Sequence, residues 1–407
     1  MIQFSDQPGL IESIQELRKY QLRPEQPSLE SRLKCLENLC EVLAQPQEGW
    51  IKAVAQETDV PETCVRNAEF AGFAAGLSRE LSLFRTGRDL VPTGLISILS
   101  PRVFPLRTTL ERLVPAYLAG DPCIVKFSSR TSSAKQIFMD VLAEAKLDVE
   151  GMAVTSAPSE QLLPVLTAHP SIRGVSFVGS LKTAGEIQDL LQHFCRFQAW
   201  TGGITSWLCL SADDLERVAQ ELRLLAVKWG YNHPYFPKKI FVLESFAEKA
   251  RSVLQELWPL LPGSQVSVSG LVAKMTSEGA KVRYEGSPAL VEDLPHCSEF
   301  HQLEIAEPVV QLVAVKYIHE MVKWINTGSY GLLAQIWGPA EKAVKLAPKI
   351  ECGLVTINEA LQADQSLLFG MKESALGIND LTPEGCFFSQ KRTVIMEIQG
   401  GSDFVSK

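Results

Sequence analysis

Apolar residues in the first part of the chain recur at helical spacing. Leu10, Ile14 and Leu17 lie three or four positions apart, and the apolar residues of 36–43 repeat the same interval. This spacing places apolar side chains along one face of a helix, so the pattern predicts helices across residues 6–85. Charges of both signs fill the remaining positions, which indicates a solvated helical layer that packs against another part of the protein.

From residue 94 onward, short apolar runs alternate with segments of helical period. The predicted strands are 95–99, 123–127, 152–154 and 175–178, and the predicted helices are 108–118, 132–145, 161–168 and 184–194. Strands that alternate with helices pair in parallel through crossover connections. Parallel strands are buried on both faces and therefore carry unbroken apolar runs, as these largely do. The pattern predicts an α/β fold built on a parallel sheet.

A second alternation follows the Gly-Gly pair at 202–203. Its predicted strands are 207–210, 240–243, 309–315, 333–337, 354–357 and 394–398. One helix is predicted over 213–227, and a capping box of Ser245 and Glu248 predicts the start of a second. Residues 262–303 are polar and contain several glycines and prolines, and no element is predicted there. The chain is therefore predicted to hold two α/β lobes with their boundary at the Gly-Gly pair.

The composition is that of a folded globular protein. The chain has 407 residues, of which 46% are apolar and 21% are charged, and this length predicts two or three domains. These proportions exclude a disordered or fibrous protein. The net charge of −8 argues against a general nucleic-acid binder or a protein of anionic membranes, because both need a basic surplus.

Membrane and disulfide signals are weak. No stretch reaches the ~18 uncharged apolar residues of a membrane span, and the N-terminal sequence lacks the basic start and apolar run of a signal peptide. The nine cysteines stand singly, without a CxxC pair. We therefore expect a reduced, cytoplasmic protein without a disulfide framework or a metal site.

Two candidate binding features follow predicted strands of the first lobe. Ligands of open α/β sheets bind at the carboxyl ends of strands. Lys126 places a cation at one such end, and Gly179 with Ser180 joins another to a helix, whose free N–H groups favour a phosphate. The sequence holds neither GxGxxG nor GxxxxGK[ST]. Alone, these features do not distinguish a binding site from ordinary turns.

Eight short segments occur in an order that is typical of one family. They are PTGLISILSPRVFPLRTTLERLVPAYLAGDPCIVK at 92–126, HPSIRGVSFVGS at 169–180, WTGG at 200–203, LEIAEPVV at 303–310, YGLLAQIWG at 330–338, GLVTIN at 353–358, LFGMKESALG at 368–377 and SQKRTVIMEI at 389–398. This succession resembles the aldehyde dehydrogenase superfamily over roughly residues 30–400. The resemblance implies three parts: a helical N-terminus with a Rossmann-like dinucleotide-binding domain over 1–203, a catalytic-type α/β domain over 204–380, and a C-terminal strand and tail over 381–407.

The resemblance also implies a chemistry and a set of binding residues. In that family a cysteine attacks the aldehyde carbonyl, a hydride passes to NAD(P), and a glutamate activates the water that hydrolyses the thioester. An asparagine and a backbone N–H hold the oxyanion. By the same resemblance Lys126 meets the adenosine ribose, and Gly179 with Ser180 meets the pyrophosphate. Glu304 would bind the nicotinamide ribose, and Phe369 would line the substrate tunnel.

The choice of dinucleotide depends on one position of the resemblance. Three residues after Lys126, many NAD-using members carry a glutamate that binds the ribose hydroxyls. This chain has Ser129 there, followed by Arg130. A hydroxyl and a guanidinium suit a 2′-phosphate, because a repelling carboxylate is absent and a fork of donors is present. We expect NADP rather than NAD as the cofactor, with a solvent-facing Arg130 as the alternative interpretation.

The residues that perform the family's chemistry are substituted. The oxyanion asparagine, one residue before Phe-Pro, is replaced by Val103, and the deacylating glutamate, two residues before Gly-Gly, is replaced by Trp200. The nucleophile segment reads WGYNHPYFPKKIFV. Counting from its first glycine places His233 at the cysteine position, and counting back from the lysine before the next strand places Pro234 there. The large apolar substitutions indicate a site that is filled rather than merely disarmed.

Three interpretations remain open. The first is a family member that does not oxidise aldehydes and still binds NAD(P). The second is an NAD(P)-dependent oxidoreductase acting on an aldehyde or acyl group through altered chemistry, or a hydrolase, with His233 as the reactive group. The third is an interaction protein without nucleotide binding. Titration with both dinucleotides separates the first from the third, and turnover with aldehydes isolates the second.

The oligomeric state is expected to differ from that of the family. Its members assemble through a long hairpin between the N-terminal helices and the strand after the Pro-x-Gly turn. Here only residues 82–93 lie in that interval, which is too short for two usable strands. We expect a monomer, or a dimer built in another way, with neither nucleic acid nor membrane as a partner.

Overall fold

Two mainly parallel β-sheets organise the chain, one in each of two units. The computed structural model describes residues 1–84, 90–191, 194–264, 266–360, 370–377 and 389–390. The first unit combines Met1–Thr58 and Glu69–Ala199 with the described residues from Gly377 onward. The second unit combines Asp59–Ala68 with Trp200–Leu376.

Helices occur in both units of the described chain. In chain order they are α1 (Gln7–Gln21), α2 (Leu29–Ala44), α3 (Glu48–Thr58), α4 (Glu62–Val65), α5 (Gly72–Phe84), α6 (Pro105–Ala119), α7 (Ser132–Glu144), α8 (Ser159–Ala168), α9 (Leu181–Leu190), α10 (Leu215–Trp229), α11 (Ala247–Leu257), α12 (Ser269–Ser277), α13 (Ile318–Thr327) and α14 (Ala340–Leu346). A π-helical turn spans Arg66–Ala71.

The strands fall mainly into the two sheets. In chain order they are β1 (Ile2–Gln3), β2 (Val91–Pro92), β3 (Leu95–Leu99), β4 (Cys123–Lys126), β5 (Met152–Thr155), β6 (Ile172–Val178), β7 (Arg196–Trp200), β8 (Ser206–Cys209), β9 (Lys239–Leu243), β10 (Lys281–Tyr284), β11 (Ala289–Glu292), β12 (Val309–Val315), β13 (Tyr330–Gly331), β14 (Leu333–Trp337), β15 (Leu354–Ile357), β16 (Met371–Lys372), β17 (Ala375–Leu376) and β18 (Ser389–Gln390).

The helices predicted across the N-terminal part are confirmed as α1 to α5. Two of them begin at side chains that replace missing backbone partners: Asp6 accepts the Gly9 N–H at 2.9 Å, and Ser28 accepts the Ser31 N–H at 3.1 Å. The buried face of α1 packs in one apolar cluster with residues of β3 and β6. The helical spacing therefore identified the face that helps to cover the first sheet.

The first sheet orders its strands β1-β5-β4-β3-β6-β7, and the neighbours from β1 to β6 pair in parallel. Ile98 lies opposite Val125, which in turn lies opposite Val154. Every residue of β3, β4 and β5 is buried. The predicted parallel α/β sheet is confirmed. Strand β7 was not predicted, because a helix was expected to reach residue 194, whereas α9 ends at Leu190.

The second sheet orders its strands β10-β11-β12-β9-β8-β14-β15. The pair β10/β11 is antiparallel, and every other neighbouring pair is parallel. The predicted strands at 309–315, 333–337 and 354–357 are confirmed residue for residue as β12, β14 and β15. The predicted strand at 394–398 lies outside the described residues.

Two predictions for the second lobe were wrong. Residues 262–303 contain α12, β10 and β11, whose apolar side chains meet in a separate cluster with Phe300 and Ile305. Short apolar runs broken by Gly and Ser hid these elements from a local pattern. The capping box of Ser245 and Glu248 is absent, because a 3-10 turn over Glu244–Phe246 precedes α11 and the N-cap makes no side-chain hydrogen bond.

Burial suppresses the reactivity of several cysteine thiols. The cysteines within the described ranges are free thiols. Burial raises the pKa of Cys64 and Cys209 to about 11 and that of Cys352 to about 12. These thiols are therefore protonated at neutral pH, and a thiol in that state is a poor nucleophile. None of the helices in the described ranges has the length and apolar character that crossing a membrane requires.

Helix α6 is capped by a side chain from a distant part of the chain. Phe104 occupies the N-cap with a φ of 51° and makes no side-chain cap. Glu69, on the π-helical turn, accepts the Arg107 N–H at 2.6 Å instead. The Arg107 guanidinium pairs with Glu111 at 2.7 Å. Glu69 is only 1% exposed, and burial raises the pKa of its carboxyl to about 8.

The raised pKa of Glu69 predicts that the free energy of unfolding decreases as pH rises. The folded state holds this proton more tightly than the unfolded state. The stabilising contribution of the protonated Glu69 is therefore complete below the ordinary pKa of a glutamate and is lost as pH rises toward about 8. Glu69→Gln removes that titration and keeps an oxygen acceptor for Arg107. Between about pH 5 and pH 8, we expect the variant to gain about 3 kcal/mol of unfolding free energy relative to wild type.

Urea unfolding at several pH values measures this difference. The control is Glu12→Gln, which removes an exposed carboxylate of α1. Its stability curve should run parallel to that of the wild type. Parallel curves for Glu69→Gln as well would show that Glu69 is ionised in the folded protein at all these pH values.

Candidate functional site

The ammonium of Lys126 lies at the carboxyl end of β4. Its Nζ donates to Ser159 Oγ, at the start of α8, at 2.6 Å. The side chain is buried, and burial lowers the pKa of the amine while Glu160 opposes the shift. An ammonium has three donors, so this cation retains donors for a hydroxylated ligand at the strand ends.

The start of α9 offers backbone donors beside β6. Ser180 is the N-cap, and its Oγ accepts the Thr183 N–H at 3.2 Å. The N–H groups of Leu181 and Lys182, in the first turn, have no partner inside the helix. A Cβ on Gly179 would lie 2.4 Å from the Phe177 ring, so a larger residue here would require that ring to move. Unpaired N–H groups and the positive end of the helix dipole suit an anion.

Ser129 and Arg130 are exposed on the turn between β4 and α7. The Arg130 N–H donates to Ser128 Oγ at 3.3 Å, and Thr131 closes the turn onto the Ser128 carbonyl. The Arg130 guanidinium makes neither a hydrogen bond nor an ion pair within the part of the chain that the structure describes. It is therefore accessible to a ligand.

In the second unit, Glu304 lies against the Gly-Gly turn. Its Oε1 accepts the Gly203 N–H at 3.3 Å. Gly202 has a φ of +125°, and a Cβ there would lie 2.1 Å from Glu304 Oε2. Burial raises the pKa of Glu304, while the Gly203 N–H and the charge of Lys238 lower it. A side chain at Gly202 would therefore collide with the carboxylate in this position.

Lys238 is a buried cation of the same cluster that the sequence did not single out. Its Nζ donates to the Tyr231 carbonyl at 3.2 Å and to the Glu307 carbonyl at 3.1 Å. Burial lowers the pKa of the amine to about 8, and Glu304 and Glu307 oppose this shift. The cluster precedes β8, β9 and β12, which are neighbours in the parallel sheet. It therefore lies at the amino ends of those strands.

The two residues at the nucleophile position have different surroundings. His233 is 5% exposed, and its Nδ1 accepts the Tyr235 N–H at 3.3 Å. Its ring centroid lies 5.4 Å from that of Trp229 and 4.7 Å from that of Tyr235. Pro234 is exposed, and its carbonyl accepts the Thr205 hydroxyl at 2.7 Å. The histidine thus packs among aromatic rings, and neither residue provides a thiol.

A cysteine far away in sequence lies beside this segment. Cys64 Sγ donates to the Val227 carbonyl at 3.4 Å, and a Cβ on Gly230 would lie 3.5 Å from the sulfur. No local sequence signal joins α4 to the end of α10. Burial raises the pKa of this thiol to about 11, so it packs as a small apolar side chain rather than acting as a nucleophile.

The remaining predicted site residues are apolar or lie outside the described residues. Trp200 is buried at the end of β7, and Val103 is half-buried in the turn before α6. Neither side chain carries a base, and valine has no hydrogen-bond donor. Phe369 falls in 361–369, outside the described residues.

Comparison with known proteins identifies the family. The sequence model of the "Aldehyde dehydrogenase family" matches residues 14–258 and 262–394. The chain belongs to the aldehyde dehydrogenase family. The resemblance inferred from eight segments is thereby confirmed at the level of the family.

Curated relatives of this aldehyde dehydrogenase family protein are distant and nearly collinear with it. A Staphylococcus haemolyticus protein with a provisional aldehyde dehydrogenase name is 24% identical over 392 residues, which are 86% of this chain and 82% of the relative. A Staphylococcus saprophyticus protein with the same kind of name is 24% identical over 395 residues and covers the same shares.

Solved structures share the fold of this family member. An NADP-dependent glyceraldehyde-3-phosphate dehydrogenase from Bacillus halodurans, complexed with NADP, has a TM-score of 0.83 at 20% identity, over 95% of this chain and 90% of that one. An NAD-dependent aldehyde dehydrogenase from Sinorhizobium meliloti has a TM-score of 0.80 at 19% identity, over 91% and 83%. The expected α/β fold class is confirmed.

The contact between Gly202 and Glu304 predicts a costly substitution. Gly202→Ala places a methyl group against the carboxylate at a φ that alanine rarely adopts. We expect the unfolding free energy to fall by about 1–3 kcal/mol. In a Glu304→Ala background the collision disappears and only the backbone strain remains, so the cost should shrink.

The matched control for this prediction is Gly185→Ala. Gly185 lies in α9, and a Cβ added there would meet no atom within 4 Å, so alanine at this position should stabilise the helix by up to about 1 kcal/mol. Urea unfolding measures all four variants. Equal costs for Gly202→Ala in both backgrounds would mean that Glu304 does not lie against the turn.

Proposed function

We propose that this aldehyde dehydrogenase family protein binds a nicotinamide dinucleotide and does not oxidise aldehydes. The observation that carries the proposal is the nucleophile segment, in which a buried His233 packed among aromatic rings and an exposed Pro234 stand in place of a thiol. The groups that suit a dinucleotide are nevertheless present in each unit.

The donor groups fit a nucleotide. Lys126 offers an ammonium at the end of β4, and the first turn of α9 offers backbone N–H groups for a pyrophosphate. In the second unit, the Glu304 carboxylate is a suitable acceptor for ribose hydroxyls. A bound nicotinamide dinucleotide supplies a hydride acceptor or donor. The Bacillus halodurans structure complexed with NADP supports this assignment by analogy of fold.

The side chains at the expected catalytic positions do not suit aldehyde oxidation. The reaction needs a thiolate, an oxyanion donor and a base that activates water. Val103 supplies no donor for the oxyanion, and Trp200 supplies no base. The Cys64 thiol, beside Gly230, has a pKa of about 11 and is protonated at neutral pH. Loss of groups that act as a unit removes most of the rate.

An enzyme that uses His233 is less well supported. A general base has to reach its substrate proton within hydrogen-bond distance. His233 is 5% exposed, and its Nδ1 is occupied by the Tyr235 N–H. The ring therefore serves packing, and none of these contacts favours a reactive histidine.

The first prediction of this proposal concerns activity. We expect no NAD(P)-dependent oxidation of simple aldehydes above that of a heat-denatured sample, with either dinucleotide. Single restorations, His233→Cys, Pro234→Cys, Trp200→Glu or Val103→Asn, should not rescue it, because each restores one group of a cooperating set. Nicotinamide absorbance in steady-state assays measures the rate. Turnover by the wild type, abolished in His233→Ala, would overturn the proposal in favour of altered chemistry.

The second prediction concerns the choice of dinucleotide. Because Arg130 is exposed and follows Ser129 rather than a carboxylate, NADP(H) should bind more tightly than NAD(H). Arg130→Ala should weaken NADP(H) by about tenfold and leave NAD(H) unchanged. Arg223→Ala, which removes an exposed cation of α10, is the matched control for total charge. Calorimetry that finds NAD(H) tighter in the wild type would contradict this assignment.

A further inference from the structure

Lys238 joins two segments that are far apart in sequence. Its ammonium donates to the Tyr231 carbonyl at 3.2 Å, in the nucleophile segment, and to the Glu307 carbonyl at 3.1 Å, in the segment that carries Glu304. The side chain is 9% exposed. A buried lysine that bridges two loop carbonyls fixes the distance between those loops.

The backbone of Lys238 is itself held in place. Its N–H donates to the Thr205 carbonyl at 2.9 Å, and its carbonyl accepts the Gln311 N–H at 2.9 Å. These bonds anchor the residue between β8 and β12, which belong to the same sheet. The side chain therefore reaches the Tyr231 and Glu307 carbonyls from a fixed point.

Two carboxylates act on the charge of the Lys238 ammonium. Glu304 and Glu307 both attract it, and Glu304 is in turn stabilised in its ionised form by Lys238. Tyr330 also faces Glu304, and its pKa is raised by burial first and then by the charges of Glu304 and Glu373. Tyr330 therefore stays neutral near pH 8, and Lys238 is the cation that titrates beside Glu304.

We propose that Lys238 is a positioning residue, whose ammonium holds Glu304 against the Gly202–Gly203 turn and so presents the carboxylate to the nicotinamide ribose. The inference rests on the proposed function, since the ribose is the ligand assigned there to Glu304. Two interactions connect Lys238 to Glu304. The hydrogen bond to the Glu307 carbonyl fixes the segment that carries Glu304, and the charge of the ammonium attracts the Glu304 carboxylate.

This role predicts that the affinity contributed by the nicotinamide riboside half of the ligand depends on pH. Burial lowers the pKa of Lys238 to about 8, so the ammonium is charged at pH 7 and neutral at pH 9. Above pH 8 the attraction to Glu304 is lost, and the nicotinamide riboside half should contribute less to affinity. The adenosine half, which the proposed function assigns to Lys126 and α9, should not follow this titration.

The experiment compares NADPH with 2′-phosphoadenosine 5′-diphosphate, which keeps both phosphates of the pyrophosphate and lacks only the nicotinamide riboside. Calorimetry on the full chain gives the ratio of the two affinities at about pH 7 and about pH 9. In the wild type we expect the ratio to fall by about tenfold over this interval, the size of one lost charged hydrogen bond. Lys238→Met should show the low ratio at both pH values. Lys238→Arg keeps the charge and should show the high ratio at both.

Two control variants isolate the position and the coupling. Lys239→Met removes the adjacent buried lysine, whose pKa is also about 8 but whose ammonium donates to the His301 carbonyl. It should keep the wild-type fall in the ratio. In a Glu304→Gln background, Lys238→Met should no longer change the ratio, because the charge that it positions is absent.

The outcomes separate this inference from the proposed function. If neither ligand binds, the proposed function fails and the inference fails with it. If both bind and Lys238→Met leaves the ratio and its pH profile unchanged, the inference alone is overturned. Thermal unfolding checks each variant, and should Lys238→Met not fold, the wild-type and Lys238→Arg pH profiles decide between the same results.

Discussion

Parallel strands that are buried on both faces leave mainly their ends for charged groups. In the first unit every residue of β3, β4 and β5 is buried, so a cation or an open turn has to stand where the strands stop. Lys126 and the Gly179–Ser180 turn occupy such ends, and the helix that follows adds unpaired N–H groups. The same constraint acts in the second unit, where Lys238 and Glu304 stand at strand ends. There the polar cluster lies at the amino ends.

The segment at the expected nucleophile position makes packing contacts rather than presenting a reactive group. A catalytic group has to be exposed to its substrate and held in an environment that activates it, and both requirements cost stability. His233 is instead enclosed by Trp229 and Tyr235, and the Cys64 thiol beside Gly230 is desolvated to a pKa of about 11. Burial of aromatic and thiol groups stabilises this segment and withholds reactivity. The groups proposed to bind the dinucleotide carry no such conflict, because they need only to present donors and acceptors.

The sequence predicted what local periodicity encodes. Strands that are apolar at all but one position, such as β12 and β14, were predicted to the residue. Lys126 and Ser180 were correctly placed at the carboxyl ends of strands, where ligands of such sheets bind. Lys238 was missed because that rule points to the opposite edge of the sheet and because its partners, Tyr231 and Glu307, belong to separate loops.

Other features depend on contacts that no local pattern records. Glu69 caps a helix that begins 36 positions later, counted from Glu69 to Pro105. Cys64 meets the end of α10 from the short helix α4, and the elements within 262–303 form only when their apolar residues gather around Phe300. The substitutions at Val103, Trp200 and His233 were read from family resemblance, and burial then explains two of them as packing positions.

Under the proposed function, the protein keeps groups that can bind a dinucleotide and has lost the reactive groups for aldehyde oxidation. The most direct test is a single-turnover experiment, in which protein in excess over an aldehyde is mixed with that aldehyde at saturating NADP⁺. Tryptophan fluorescence and nicotinamide absorbance are recorded together. We expect a fluorescence change that saturates with NADP⁺ and no formation of reduced nicotinamide. Reduced nicotinamide formed in a single turnover, or the absence of any fluorescence change at saturating NADP⁺, would contradict the proposed function.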